Sequence, residues 1–458
     1  MRRTLIVGAA LAAMVGMSAT AALAAYPEPV APADANTATP IKHFLFLMQE
    51  NHSFDNYFGT YPGADGIPDD LCMPVDPALP DGECVPSSHV GNRAVVDLPH
   101  SRKTHLAQYN GGAMDGFVSG VGGLPTGELA MAYYDDRDLP WYWNIADNYV
   151  LFDRFFSSAA GGSVANHMYW VAGQPGTDGE SDAVPTNGWG DEIPTIFDRL
   201  AEAGISWKFY IQNYDPTINI RAERAGDKGA QVVWAPLLAM DRFIDDPALS
   251  RNIVDMEQYA LDLENDTLPS VAFLVPSGAS EHPPGSVQAG EAFVRTLVNN
   301  LMRSASWESS AFLWSYDDWG GFYDHVPPPS VDSFGYGFRV PALLVSPYAR
   351  KGYVDSTVLD FTSGLKFIEE NWGVKPLASR DAEASSIVSA FDFGSPPREP
   401  VLLPASREVV EPAKVNIAVL YPAYSLALVL LGAVLAWAHA QRRRDDVAVA
   451  AADREVLA

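Results

Sequence analysis

Phe44-Leu45-Phe46-Leu47-Met48 runs without a break into Gln49-Glu50-Asn51-His52-Ser53-Phe54-Asp55-Asn56-Tyr57-Phe58-Gly59. Five successive apolar residues with no polar alternation describe a strand buried on both faces of a sheet, and the polar group begins where that strand would stop. Open α/β sheets bind ligands just beyond the carboxyl ends of such strands, so Glu50 and Asn51 stand where a metal or a substrate would be held. The plain alternative is a charged loop in which Asp55 and Asn56 turn the chain. Other segments decide between the two readings if they end in the same way.

They do. Ser270–Val275 reads as a buried strand and is followed by Glu281-His282-Pro283-Pro284. Ala311–Tyr316 reads as another, ending in Asp317-Asp318 and then Gly320-Gly321-Phe322-Tyr323-Asp324-His325-Val326 before three prolines. Two adjacent acids at a strand end are costly in a buried setting unless a cation or hydrogen-bond donors compensate them, which makes a metal the economical explanation. Between these strands the pattern alternates as an α/β fold should. A helix over Ile193–Ala203 is closed by Gly204, a strand covers Ser206–Ile211, and Gln288–Ser304 forms an amphipathic helix with Phe293, Leu297 and Leu301 on one face. Val340–Val345 gives a further strand, and Asp360 caps a helix that runs to Trp372.

Gly161-Gly162-Ser163 introduces a different chemistry. The two glycines let the backbone turn tightly and a large group approach, and a short helix over Asn166–Gly173 follows. A hydroxyl at a helix N-terminus faces unpaired N–H groups and the positive end of the dipole, a favourable place for a phosphoryl oxygen. Ordinary N-capping by Ser163 has the same sequence signature. The aromatic run before it, from Trp141 to Phe156, reads as core. Single histidines among the nine carry little weight alone.

The chain has 458 residues, with two ends to set aside. Met1-Arg2-Arg3, the apolar run Leu5–Val15 and the small residues up to Ala25 have the order of an export signal, giving a mature start near Tyr26. Residues 26–39 are rich in Ala and Pro and read as a mobile leader. Residues 415–441 carry no charged side chain, are long enough to cross a bilayer and are followed by Arg442-Arg443-Arg444. The expected layout is therefore a signal at 1–25, an extracytoplasmic domain at 26–392, a stalk at 393–414, a single transmembrane helix at 415–441 and a cytoplasmic tail at 442–458. In an exported chain the two cysteines, Cys72 and Cys84, are expected to pair within a loop rich in Pro, Asp and Gly. A net charge of −27 argues against a nucleic-acid partner.

Five of these segments, spread over roughly Ile41 to Val374, resemble, in order, the motifs of the phosphoesterase family that contains the bacterial phospholipases C and acid phosphatases. They are Glu50-Asn51-His52-Ser53-Phe54-Asp55, His105 with Met114-Asp115-Gly116-Phe117, Ser163 with Asn166, the Asp317 to Pro328 block, and the helix over Asp360–Trp372. The chain departs from the pattern in three places: His52 stands in a basic position, Asp318 replaces a glutamate, and the Ser163 turn lacks two prolines. The resemblance implies an alkaline-phosphatase-like α/β fold with a central, mostly parallel sheet flanked by helices. It further implies that Glu50, Asn51, Asp317 and Asp318 coordinate a divalent metal ion and that Ser163 attacks phosphorus. His105 and Asn166 would bind the substrate, and His282 and His325 would act in catalysis. The implied substrate is a phosphate ester, with phospholipid and phosphomonoester both open, acted on by a membrane-tethered enzyme. The reading from another class is a tethered surface module that binds a partner and keeps a structural ion. A purely structural ion needs no serine, which counts against it.

Overall fold

Eight strands form one sheet at the centre of the protein. The structure, a computed structural model, describes residues 26–176, 183–224, 230–407 and Leu430. In chain order the strands are β1 (His43–Gln49), β2 (Val150–Phe152), β3 (Trp207–Ile211), β4 (Ile253–Asp255), β5 (Val271–Val275), β6 (Ser310–Tyr316), β7 (Ala342–Val345) and β8 (Tyr353–Asp355). Their order across the sheet is β8-β2-β7-β6-β1-β5-β3-β4. Every pairing is parallel except those of β7, which runs antiparallel to both β6 and β2. The fold is therefore α/β with a large, mostly parallel sheet.

The continuous apolar run of β1 has the cause the sequence suggested, for all seven residues are buried. Phe44 and Phe46 face one side, where Phe46 meets Trp170 at 5.7 Å and Phe44 meets Phe367 at 5.1 Å between ring centroids. Those partners lie on α4 (Ser163–Ala172) and α7 (Phe361–Trp372). Gly364 of α7 approaches Phe46 so closely that a Cβ there would sit 2.6 Å from its ring. On the opposite side β6 presents Trp314, which stacks on Trp141 and meets Tyr142 at a tilt, both on α3 (Pro140–Asn148). Burying each such aromatic contributes on the order of 1.5–3 kcal/mol. Helices thus cover both faces, and the strand tips are the free edge of the design.

Element positions differ from expectation by a few residues, and the causes are visible. The helix expected from Ile193 starts at Ile196, because Thr195 and Asp198 form a capping box there; it is α5 (Ile196–Glu202). The amphipathic helix is α6 (Val287–Arg303), begun by Ser286, whose side chain accepts from Ala289 N. Asp360 caps α7 as expected. The leader is not loose, for Val30 N donates to Gly204 O at 2.9 Å and Val30 bridges to Ile205. The disulfide Cys72–Cys84 is present, with Cα atoms 5.4 Å apart. Its hairpin packs Met73 and Val85 against Phe117, Trp319 and Phe338.

The compact unit extends to Arg407. The first part of the expected stalk lies against the domain because its arginines find partners there. Arg398 donates to Ala349 O at 2.7 Å and covers the Tyr149 ring, and Arg407 pairs with Asp147 at 2.6 Å. The expected signal at 1–25 lies outside the described residues, as does the expected membrane span apart from Leu430. Among the described residues no helix is long and apolar enough to cross a membrane.

Candidate active site

Parallel pairing of β1 with β6 puts Gln49 opposite Tyr316, so the residues that follow each strand emerge side by side at the same sheet edge. Asp317 N donates to Gln49 O at 3.0 Å, and Asn51 N returns a bond to Asp317 Oδ1 at 2.9 Å. Two strand ends are thereby locked together by the first acid after β6. Asn51 holds a left-handed φ of 63°, a strained state for a side-chain-bearing residue that is sustained by these bonds. Gly320 completes the contact, since a Cβ there would lie 2.1 Å from Asn51 O.

Helix α4 begins at Ser163 itself. Gly162 occupies the cap position and contributes no side-chain bond, so Ser163 is the first helical residue and not an N-cap. Its hydroxyl donates to Asp318 Oδ2 at 3.4 Å. One turn later on the same helix face, His167 Nε2 lies 3.2 Å from Glu50 Oε1 and 3.7 Å from Asp317 Oδ2. Glu50, His167 and Asp317 have ligand atoms within 4.8 Å of one another, and all three are buried. Three carboxylates therefore meet one imidazole and one hydroxyl. Among the described residues no Lys or Arg lies within ion-pair distance of Glu50 or Asp317.

The electrostatics follow from that crowding. Burial pushes the Glu50 carboxyl up and the neighbouring Asp317 charge adds to it, while the bond to His167 pulls the other way. Burial would lower the His167 ring, but the bond to Glu50 and the charges of Glu50 and Asp317 hold it above its usual value. Asn51 Oδ1 and Asp317 Oδ2 are buried without a hydrogen-bond partner. Orphaned acceptor oxygens beside converging carboxylates and an imidazole are what a divalent cation requires of its surroundings. The residues present fit such an ion.

Two histidines stand at the mouth of this cluster. Ser163, Glu50 and His282 line one cleft of about 470 Å³ together with Trp234, Ser280 and Pro283. His282 Nδ1 donates to Pro283 O at 2.7 Å, which fixes the ring and leaves Nε2 outside that bond. Burial would lower this ring, yet Glu50, the Pro283 carbonyl, Asp97 and Asp317 together hold it above its usual value. His100 is placed similarly. Its Nδ1 donates to Leu98 O at 2.7 Å, so Nε2 accepts from Asn51 Nδ2 at 3.3 Å, and that bond leaves Asn51 Oδ1 as the free end of the amide.

The structure brings together Glu50, Asn51, Asp317, Asp318, Ser163 and His282. Three other expected residues are employed elsewhere. Asn166, expected to bind substrate, is fully buried and spends its amide on the turn before the serine. Its Oδ1 accepts from Ala159 N at 2.8 Å, and its Nδ2 donates to Gly161 O and Gly162 O at 3.1 Å. His105 of α2 (Arg102–Tyr109) sits in an aromatic box, 4.2 Å from the Phe338 ring, with neither ring nitrogen partnered. Burial pushes its pKa down to about 3. His325 is bound through Nδ1 to Asp55 at 2.7 Å and through Nε2 to Asp65 at 3.1 Å, which leaves no ring nitrogen for catalysis. His100 and His167, which the sequence motifs do not single out, also reach the cluster, through Asn51 and Glu50 respectively. The helical spacing from Ser163 to His167 was a usable signal, since positions four apart share a face. Nothing local marks His100 over His105.

The phosphoesterase family profile matches residues 41–375. Phospholipase C B of Mycobacterium tuberculosis is 30% identical over 436 residues, covering 78% of this chain and 79% of that protein. Phospholipase C A of the same organism is 31% identical, with 78% of each chain covered. Non-specific phospholipase C1 of Arabidopsis thaliana is 27% identical, covering 79% of this chain and 72% of that one. A solved protein of the alkaline phosphatase superfamily from Vibrio parahaemolyticus overlaps with a TM-score of 0.35 at 12% identity, over 73% of this chain and 68% of that one.

Proposed function

The chain belongs to the phosphoesterase family and is a phosphoric ester hydrolase, and from that premise we propose that it works through Ser163 as nucleophile at the cluster of Glu50, Asn51, Asp317 and Asp318. The observation that carries this reading is the Ser163 hydroxyl at the first residue of α4, 3.4 Å from Asp318 and sharing a cleft with Glu50 and His282. A divalent ion would be held by Glu50, Asn51, Asp317 and Asp318, with His167 within the same donor set. When bound it supplies positive charge that favours the ionised serine and offsets the phosphoryl oxygens.

The chain's own residues do the rest. In its ionised form Ser163 Oγ forms a bond to phosphorus as the bond to the departing alcohol breaks, giving a phosphoserine and an alkoxide; the serine leaves again in that ionised form when water attacks. His282, its ring fixed by the Nδ1 bond to Pro283 O, donates its Nε2 proton to that alkoxide. The same ring then takes a proton from water as water attacks phosphorus and the serine leaves. First-turn N–H groups of α4 and the dipole behind them stabilise the equatorial oxygens. Asn166 holds the turn rigid in place of the absent prolines, and His100 orients Asn51.

Phospholipid is the favoured substrate, on the names of the three relatives and on the sequence pattern of an export signal at 1–25 and a membrane span at 415–441. In that layout the domain at 26–392, with the packed extension to Arg407, lies outside the membrane, and 442–458 lies in the cytoplasm. Purified full-length chain assayed on p-nitrophenyl phosphate, p-nitrophenyl phosphorylcholine and phosphatidylcholine vesicles, with and without chelator, tests this. Diester and vesicle hydrolysis lost on chelation is expected. Monoester hydrolysis alone would replace phospholipid with phosphomonoester.

A further inference from the structure

Directly before His282 lies a carboxylate that the chemistry above does not use. Glu281 is fully buried, and three tyrosine hydroxyls converge on it. Tyr57 OH donates to Oε2 at 2.5 Å, Tyr316 OH to the same oxygen at 2.8 Å, and Tyr142 OH to Oε1 at 2.6 Å. Helix α6 gives up a side chain to admit it, for a Cβ on Gly290 would lie 2.1 Å from Glu281 Cγ. The tyrosines come from α1 (Phe54–Phe58), α3 and the last residue of β6. Two of these elements adjoin the candidate ion site, since α1 follows Asn51 closely and Tyr316 immediately precedes Asp317.

The peptide of Glu281 is tied to the same region. Its N–H donates to Gln49 Oε1 at 3.2 Å, and its carbonyl accepts from His52 Nε2 at 3.1 Å. Gln49 and His52 flank Glu50 and Asn51 in the chain. A buried carboxylate is a poor means of gaining stability, because an apolar group of the same shape avoids the cost of desolvating it. Its value lies in directional bonds that fix one arrangement. The residue following this hub is the histidine of the cleft.

We propose that Glu281, held by the hydroxyls of Tyr57, Tyr142 and Tyr316, is a positioning residue that sets the place of His282 relative to Glu50 and the Ser163 hydroxyl. The proposal rests on the reading of Ser163 and His282 as the reacting pair. Glu281 does not touch substrate; it acts by holding the backbone from which His282 projects. Loosening the cage leaves substrate access intact and misplaces the proton donor, so kcat falls while KM stays near its starting value.

The test compares two tyrosine-to-phenylalanine changes. Tyr142→Phe removes one hydroxyl from the Glu281 cage. Tyr210→Phe removes a hydroxyl bonded at 2.6 Å to Asp262, another buried carboxylate; Tyr210 lies on β3 and Asp262 on the helix Glu257–Glu264, and neither lines the cleft. Both full-length variants are measured for Tm and for kcat and KM on p-nitrophenyl phosphorylcholine, alongside Glu281→Gln. Expected are similar losses of Tm for the two tyrosine variants, with kcat down about tenfold in Tyr142→Phe alone and further in Glu281→Gln. Equal retention of kcat by Tyr142→Phe and Tyr210→Phe overturns the proposal, and Tyr142→Phe decides the matter even if Glu281→Gln does not fold. Failure of the underlying reading looks different: Ser163→Ala or His282→Ala would then keep wild-type activity whatever Tyr142→Phe does.

Discussion

Two buried clusters of acid and histidine lie close to each other in sequence and have opposite characters. Around Arg339, the carboxylates of Asp55 and Asp324 accept guanidinium bonds at 2.9 Å, and His325 joins them through Asp55. Around Glu50, the carboxylates of Glu50 and Asp317 meet the His167 imidazole, and among the described residues no Lys or Arg lies within ion-pair distance of either. The first cluster is internally neutralised and its oxygens are satisfied. The second retains orphaned oxygens on Asn51 and Asp317. Buried acids alone therefore say little; the orphaned oxygens distinguish the second cluster from a structural staple.

The comparison breaks most readily at its chemical centre. Ser163→Ala should lower kcat by about 10⁴-fold or more while circular dichroism and Tm stay unchanged. Activity within tenfold of wild type would remove the serine from the mechanism. Chelation followed by dialysis should lower activity by about 10²-fold or more and be reversed by added divalent ion. It should also lower Tm, because an ion bound only to the folded state stabilises it. Identical Tm before and after chelation, with intact activity, would mean that the orphaned oxygens hold no ion.

The staple should respond in the opposite sense. Arg339→Met leaves Asp55 and Asp324 buried without their partner and should cost about 3–5 kcal/mol of stability, read by urea denaturation. The folded fraction should keep kcat within a few-fold. The smallest effect is expected from His325→Gln, with less than about tenfold change in kcat. Burial alone would lower the His325 ring, but Asp55 holds it above its usual value. Its contribution to stability is then fully present below about pH 6.5 and lost as pH rises through the folded value. The Tm gap between wild type and His325→Gln should narrow over that rise; a gap constant from pH 5.5 to 9 would show that the ring is not held protonated.

Much of this contrast is legible in the sequence. Uninterrupted apolar runs located β1, β5 and β6, and the acids that follow two of them marked the sheet edge, because parallel strands deliver their tails to one side. Ser163 stood out through the glycines before it. The roles of histidines were not legible, since a ring's function depends on which groups meet its two nitrogens, and those groups are distant in sequence. His325 belongs to the staple because Asp65 and Asp55 reach it. His105 and His100 sit five residues apart, yet one enters an aromatic box and the other reaches Asn51. Asn166 followed the motif in position and departed from it in use, supplying the turn with side-chain bonds where prolines are absent.

The reversed direction of β7 has a consequence for how this enzyme can change. Ala342 pairs with Ser315, so the chain that leaves the sheet after β6 returns to it at the same rim. Everything from Asp317 to Pro341 is one excursion that begins and ends beside the cleft, its limbs pinned where Arg339 grips Asp324. A segment anchored in this way can be lengthened, shortened or exchanged beyond its pin without rethreading a strand. New substrate preferences can thus be tried at the rim while the layers beneath stay as they are.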